Sequence, residues 1–189
     1  MNRTSDTLDL TDPAKVSIGA RPQRDAAFRQ LADVHLDRAY RLARAILRDQ
    51  SEAHDATHDA FVRAWRKWGT LRNPERFESW FDRILVNTCR NRLRSKNRLA
   101  RDISAEVALV AGDHVQNTED RAVIGAALAA LSPDQQIVVA LRFYRDLSVG
   151  DIASRLGIAE GTVRSRLHYA LKRLHAAIEA KDPRGLIDD

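Results

Sequence analysis

The sequence predicts an all-α fold, with two small helical domains joined by a flexible linker. Glycine and proline are sparse, 8 and 5 in 189 residues. Apolar side chains return every three or four positions rather than alternating, which is the period of a helix with one buried face. Ala, Leu and Arg, all good helix formers, dominate. The 44% apolar content is enough for a core, and the 30% charged content makes much of the surface ionic. A net charge of +5 and a pI near 9.8 favour a polyanionic partner. The single cysteine, Cys89, excludes an intramolecular disulfide and a cysteine-based zinc site. No apolar run approaches the roughly 18 residues a membrane helix needs. The N-terminus lacks the apolar stretch of a secretory signal. A membrane-inserted or disulfide-rich secreted protein is thereby set aside, and a cytoplasmic one is expected.

Residues 1–23 are polar and aperiodic, with Pro13, Gly19 and Pro22, and are expected to form a flexible tail. A first helix is expected from Asp25 to Leu47, with Phe28, Leu31, Leu36, Ala39, Ala43, Ile46 and Leu47 on its apolar side. Ser51 is the expected N-cap of a second helix over 52–67, with Glu52 in its first turn. That helix ends near Trp68-Gly69, and a loop follows to Asn73-Pro74, a cap with proline just inside the next element. A long helix is expected from Phe77 to Arg98. Residues 101–118 lose the periodicity and read as a linker. The second unit spans 119–180, with 24–100 as the first and 181–189 as a short tail. Within it, Ala122–Leu131 is helical. Ser132-Pro133-Asp134-Gln135 is a capping box with proline inside, starting a helix to Tyr144. Ser148 starts a short helix that Gly157 ends, and a last long helix runs from Glu160 to Ala180.

Residues 151–174 carry the pattern of a helix-turn-helix. Ala153, Gly157 and Val163 stand at offsets 0, 4 and 10. These are a small residue where two helices cross, a glycine for the positive-φ turn and a β-branched lock on the second helix. On that second helix Val163, Leu167, Ala170, Leu171 and Leu174 share an arc. Thr162, Ser165, Arg166, Tyr169, Lys172 and Arg173 take the opposite one, with Arg164 at the flank. Between Gly161 and Leu174 there are four cations and no acid. An apolar side that docks and a basic side that enters the major groove describe a recognition helix. Arg164 and Arg166 suit guanine; Ser165 and Thr162 suit a base or a phosphate.

The first unit is more strongly basic than the whole chain. From Phe61 to Arg101 twelve Lys/Arg face only Glu75, Glu78 and Asp82, a local charge of +9. Phe61, Trp65, Trp68, Phe77, Trp80 and Phe81 are interleaved with them, a mixture suited to exposed bases and backbone phosphate. Phe61, Trp65 and Phe81 lie at helical spacing and are expected in the core. Asn87, Arg90, Asn91, Arg94 and Arg98 form one polar stripe bordered by Trp80 and Ile84. Amides read base edges while arginines neutralise phosphate. The preceding helix instead carries Glu52, Asp55 and Asp59 on one face with His58 beside them, which suits a basic protein partner. His54 and His58 are four apart, but no third ligand is evident, so no metal is expected. No Gly-rich phosphate loop, nucleophile elbow or other catalytic constellation is visible. A non-enzyme without cofactor is expected.

Together these residues resemble a bacterial RNA polymerase sigma factor of the sigma-70 family, extracytoplasmic-function (ECF) group. Segment 52–68, EAHDATHDAFVRAWRKW, resembles the polymerase-binding part of region 2, and segment 79–94, SWFDRILVNTCRNRLR, its −10-reading helix. Segment 132–174, from SPDQQ to ALKRL, resembles region 4 with its −35-reading helix-turn-helix. The resemblance implies a region 2 bundle and a region 4 helix-turn-helix that read the −10 and −35 promoter elements and aid melting. It implies that Glu52, Asp55, His58 and Asp59 dock on the β′ clamp coiled coil and that region 4 binds the β flap. It implies that Asn87, Arg90, Asn91, Arg94, Arg98, Trp80 and Arg72 serve the −10 region, with the loop 68–76 taking a flipped base. Thr162, Arg164, Ser165, Arg166, Tyr169, Lys172 and Arg173 would serve the −35 element. Core polymerase, promoter DNA and an anti-sigma factor are the implied partners. The competing expectation is a stand-alone helix-turn-helix regulator whose N-terminal unit senses a ligand or dimerises. A metal-dependent nuclease built on His54, Asp55, His58 and Asp59 is a distant third.

Overall fold

The computed structural model describes residues 21–103 and 119–180, and among them there are seven α-helices, two 3-10 turns and no strand. Most of the expected N-terminal tail, linker and C-terminal tail therefore lies outside the described residues. The first helix, α1 (Arg21–Leu47), starts four residues before the expected Asp25. It buries Ala27, Phe28, Leu31, Ala39, Leu42, Ala43, Ile46 and Leu47. Leu36, expected among them, lies at the margin of that arc and is half exposed.

Helix α2 (Gln50–Lys67) is capped by Asp49, not by the expected Ser51. Asp49 is the last extended residue, so its carboxylate can accept from the Glu52 N–H at 3.0 Å, whereas Ser51 already lies inside the helix. The buried face of α2 is nearly all alanine: Ala53, Ala56, Ala60 and Ala64. Such small side chains let α1 and α3 (Phe77–Ile103) pack closely on its two sides. Between α2 and α3 the chain makes two 3-10 turns, Trp68–Thr70 and Pro74–Arg76. Asn73 caps the second, its side-chain oxygen accepting from the Glu75 N–H at 2.9 Å, with Pro74 just inside as expected.

The aromatics of this unit serve mainly as its core. Trp68, Phe77 and Phe81 are almost fully buried. Phe28 is their hub, meeting Trp68 edge-on at 5.4 Å, Phe77 at 6.2 Å and Phe61 at 6.5 Å. The expectation of an aromatic nucleic-acid platform thus fails for Trp68 and Phe77, and the core expectation holds for Phe81 and the half-buried Phe61. Trp65, also expected in the core, is 42% exposed and only its edge leans on Phe28. Trp80 is half buried. Cys89 is fully buried on α3, and burial pushes its thiol up to about 12.

The second unit begins with α4 (Glu119–Ala129), which ends two residues short of the expected Leu131 because the chain must straighten into the next cap. Ser132 and Gln135 form the expected capping box on α5 (Pro133–Tyr144). Ser148 and Asp151 form a second one on α6 (Val149–Leu156). Gly157 ends α6 at φ 66°, where its N–H and that of Ile158 both reach the Ala153 carbonyl. Ile158 and Ala159 then lead into α7 (Glu160–Glu179). Val163 and Ala170 are fully buried and Leu167 nearly so, but Leu171 is 44% exposed and does not share their docked arc. Helix α5 also packs on α1 and α3, and α6 packs on α3, so the two units meet.

Gly157 has open space around its missing Cβ, so substitution there acts through the backbone alone. Gly157→Ala is expected to lower stability by about 1–2 kcal/mol in urea unfolding, the cost of a left-handed L-residue.

Candidate nucleic-acid interface

Helix α7 is aimed by its own core contacts. With Val163, Leu167 and Ala170 turned inward, Arg164, Ser165, Tyr169, Lys172 and Arg173 are exposed. Arg164 pairs with Glu160 one turn earlier at 2.7 Å, a surface contact that leaves the guanidinium accessible. Ser165 donates to the Thr162 carbonyl at 3.0 Å, and Arg173 donates to the Ala130 carbonyl, just past the end of α4, at 3.2 Å. Arg166, expected to act beside Arg164, instead donates to the Asp134 carboxylate of α5 at 3.0 Å.

On α3 the expected stripe is present. Asn87, Asn91, Arg94 and Arg98 are exposed, and Arg90 is half buried beside them. Arg90 donates to the Asn87 amide oxygen at 2.7 Å and to Asp134 at 3.0 Å, and Arg94 lies 3.9 Å from the same Asp134. One carboxylate of the second unit is therefore shared by two guanidiniums of α3 and by Arg166 of α7. The amide oxygen of Asn87 already accepts from Arg90, which leaves its N–H group outward for other partners.

A cleft of about 440 Å³ opens at the N-terminal end of α3. Arg72, Asn73, Arg76 and Trp80 line it from the first unit, Ser154 and Arg155 from the second. Arg72 and Trp80, two of the residues expected at the −10 element, thus share one concave surface. Arg83 closes its floor by donating to the Ser154 carbonyl at 2.8 Å and the Arg155 carbonyl at 3.1 Å.

The acidic face of α2 is partly neutralised from within. Arg92 of α3 donates to Glu52 at 2.7 Å and to Asp59 at 2.8 Å, and lies 4.0 Å from Asp55. Partial burial acts to lower the Arg92 pKa, but the hydrogen bonds to Asp59 and Glu52 outweigh it and hold the group above the ordinary arginine value. All three carboxylates stay well exposed, and His58 is exposed beside them. Arg92 stands 33 residues from Asp59, so no local spacing signals this pairing. Among the described residues no cluster of three His, Cys, Asp or Glu side chains is placed to hold a metal.

The contact between the units is built largely on arginine. Asp82 of α3, with a fully buried side chain, receives Arg145 at 2.6 Å and also Arg155. Arg145 further donates to Glu78 at 3.2 Å. Burial raises the Asp82 carboxyl pKa, and the two guanidiniums pull against that rise. Beyond the end of α1, Arg48 donates to the Gly125 carbonyl of α4. These residues carried no local sequence signal, because each partner is more than 60 positions away.

Comparison with known proteins places this geometry. The family model for Sigma-70 region 2 matches residues 31–99, and that for Sigma-70 region 4 matches residues 127–176. The ECF RNA polymerase sigma factor SigL of Mycobacterium tuberculosis (strain H37Rv) is 34% identical over 177 residues, covering 88% of this chain and 96% of SigL. The RNA polymerase sigma-E factor of Streptomyces avermitilis is 30% identical over 157 residues, covering 82% and 87%. Among solved structures, the sigma factor RpoE in complex with the anti-sigma factor NepR, from Bartonella quintana, superposes with a TM-score of 0.65 at 24% identity. It covers 82% of this chain and 98% of that one. CnrH in complex with the cytosolic domain of CnrY gives 0.59, also at 24% identity, and covers 84% and 91%. At that identity the two structures speak for the fold alone.

Replacing Arg92 with Gln removes the one cation that the three α2 carboxylates share. Discounted for its partial exposure, the expected loss is about 1 kcal/mol in thermal or urea unfolding, with the helical circular-dichroism spectrum retained. With a region 2 bundle and a region 4 helix-turn-helix in order along one chain, and relatives matched over nearly their whole length, this chain belongs to the ECF group of RNA polymerase sigma factors.

Proposed function

We propose that the protein is a promoter-specificity subunit that binds core polymerase and does no chemistry of its own. Region 4 carries the duplex-reading surface, because α7 presents Arg164, Ser165, Tyr169 and Lys172 on a rigid, docked helix. Region 2 carries the surface for the −10 element. Asn87, Asn91, Arg94 and Arg98 run along α3 and offer amides to base edges and guanidiniums to phosphates, and Trp80 with Arg72 lines a cleft of a size to take a flipped base. The exposed carboxylates Glu52, Asp55 and Asp59 with His58 form the surface for the polymerase clamp, and the second unit would meet the β flap. An anti-sigma factor is a further candidate partner, by analogy with the RpoE and CnrH complexes. The division into units at 24–100 and 119–180, joined by a linker, lets two weak promoter contacts reinforce each other. A cytoplasmic location follows from this role, and no described helix is long and apolar enough to cross a membrane.

The observation that carries the proposal is the coexistence of two separate basic reading helices, α3 and α7, with one acidic face on α2. A stand-alone regulator would have no use for that acidic face. Run-off transcription with purified core polymerase on a random promoter library tests it. Wild-type protein should give discrete start sites that core alone does not. Arg164→Ala should lower transcription from −35-dependent promoters about tenfold while leaving core binding intact, as loss of one good base contact predicts. Asp59→Arg should instead weaken core binding on a native gel. If neither variant differs from wild type, these roles are wrong.

A further inference from the structure

Glu52, Asp55 and Asp59 rise along one face of α2 over two turns, roughly 10 Å. Carboxylates three and four residues apart on a helix repel one another. Left to themselves, they turn away from each other into water. Arg92 of α3 holds them instead. Its Nη1 donates to Glu52 Oε2 at 2.7 Å and its Nη2 to Asp59 Oδ2 at 2.8 Å, so one planar group ties both ends of the row. Asp55 Oδ2, between them, lies 4.0 Å from Nη1. One turn further along α3, Lys96 is 3.8 Å from Asp49 Oδ2, while Asp49 Oδ1 caps α2. The second oxygens, Glu52 Oε1, Asp55 Oδ1 and Asp59 Oδ1, take no hydrogen bond among the described residues.

We propose that Arg92 is a positioning residue for polymerase docking. By holding Glu52 and Asp59 through one oxygen each, it presents their second oxygens, with Asp55, as a preset row of acceptors for the partner's cations. The proposal rests on the reading of α2 as the surface for core polymerase, and adds to that surface a residue of another helix. It also fixes a sign. Arg92 is a cation beneath an anionic face that meets a basic partner, so by charge alone it opposes docking. By geometry it favours docking, because side chains held beforehand need not be ordered when the partner arrives. Geometry outweighs charge here. The three acids are well exposed, so one further charge behind them is screened within about 8 Å at physiological salt. The two Arg92 bonds are short, charge-assisted and made by a half-buried group, and are screened less. A lysine would supply the charge without the fork, since an ammonium lacks two donors fixed in one plane to reach acids two turns apart.

The test is the rate of association with, and dissociation from, purified core polymerase held on a sensor surface. The full-length chain is used, each variant well below its own unfolding midpoint. Arg92→Gln makes the face more negative, yet it should dissociate about fivefold faster, with association unchanged or slightly faster. Arg92→Lys should dissociate at a rate between wild type and the Gln variant, or equal to the latter. A general loss of structure would instead reduce the fraction of chain that binds and leave the dissociation rate of the remainder alone. Slower or unchanged dissociation of Arg92→Gln would overturn the proposal. So would Arg92→Lys indistinguishable from wild type, which would show that a charge suffices there. If Arg92→Gln does not fold, Arg92→Lys alone carries the test on the same terms. Asp59→Arg, run alongside, separates the two readings. Lost core binding by Asp59→Arg with wild-type rates for Arg92→Gln would reject the positioning role and leave the docking face standing. Unchanged core binding by Asp59→Arg would reject the docking face itself, and the positioning role with it.

Discussion

Everything in this molecule turns on where its arginines find their anions. A guanidinium stays charged at any physiological pH, so each one must be solvated, paired or offered to a partner. Arg145 and Arg155 are spent on the buried Asp82, Arg92 on the acids of α2, and Arg48 on the Gly125 carbonyl. Arg164, Arg94 and Arg98 remain exposed. The allocation separates cations engaged within the fold from cations left exposed more sharply than net charge does. The chain's +5 says little; the distribution of ion-pair partners says which cations stay open to solvent.

The same allocation explains how one small chain can carry both an acidic and a basic face. Helix α2 faces α3 through alanines, which lets the two helices lie close enough for Arg92 to span three carboxylates. That bridge fixes the acidic face in place while leaving it negative, since three carboxylates outnumber one guanidinium. The aromatic cluster around Phe28 does the corresponding work at the far end. It holds the 3-10 turns and the start of α3 so that Trp80 and Arg72 meet at a cleft.

Local features were legible in the sequence, and long-range ones were not. The Ser132 capping box, the Gly157 turn and the Val163–Leu167–Ala170 face of α7 could be read because each is set by residues a few positions apart. The cap of α2 was misplaced by two residues because Asp49 and Ser51 are both good caps, and only the backbone decides between them. Trp68 and Phe77 read as candidate stacking surfaces because burial depends on Phe28, some 40 and 49 positions earlier, and no spacing reveals that pairing. The polar stripe of α3 is legible from its spacing, but the sharing of Asp134 by the half-buried Arg90 and Arg166 is not. That contact joins three helices from two units, and only the folded chain brings them together.

The central claim is that sequence-specific promoter recognition belongs to the complex with polymerase and not to the chain alone. Retention of one selected promoter against a scrambled duplex, measured with and without purified core polymerase, tests it most directly. The account predicts weak, non-selective retention by the free chain and strong selectivity once core is added. Equal, tight selectivity by the free chain, unaffected by core, would contradict it.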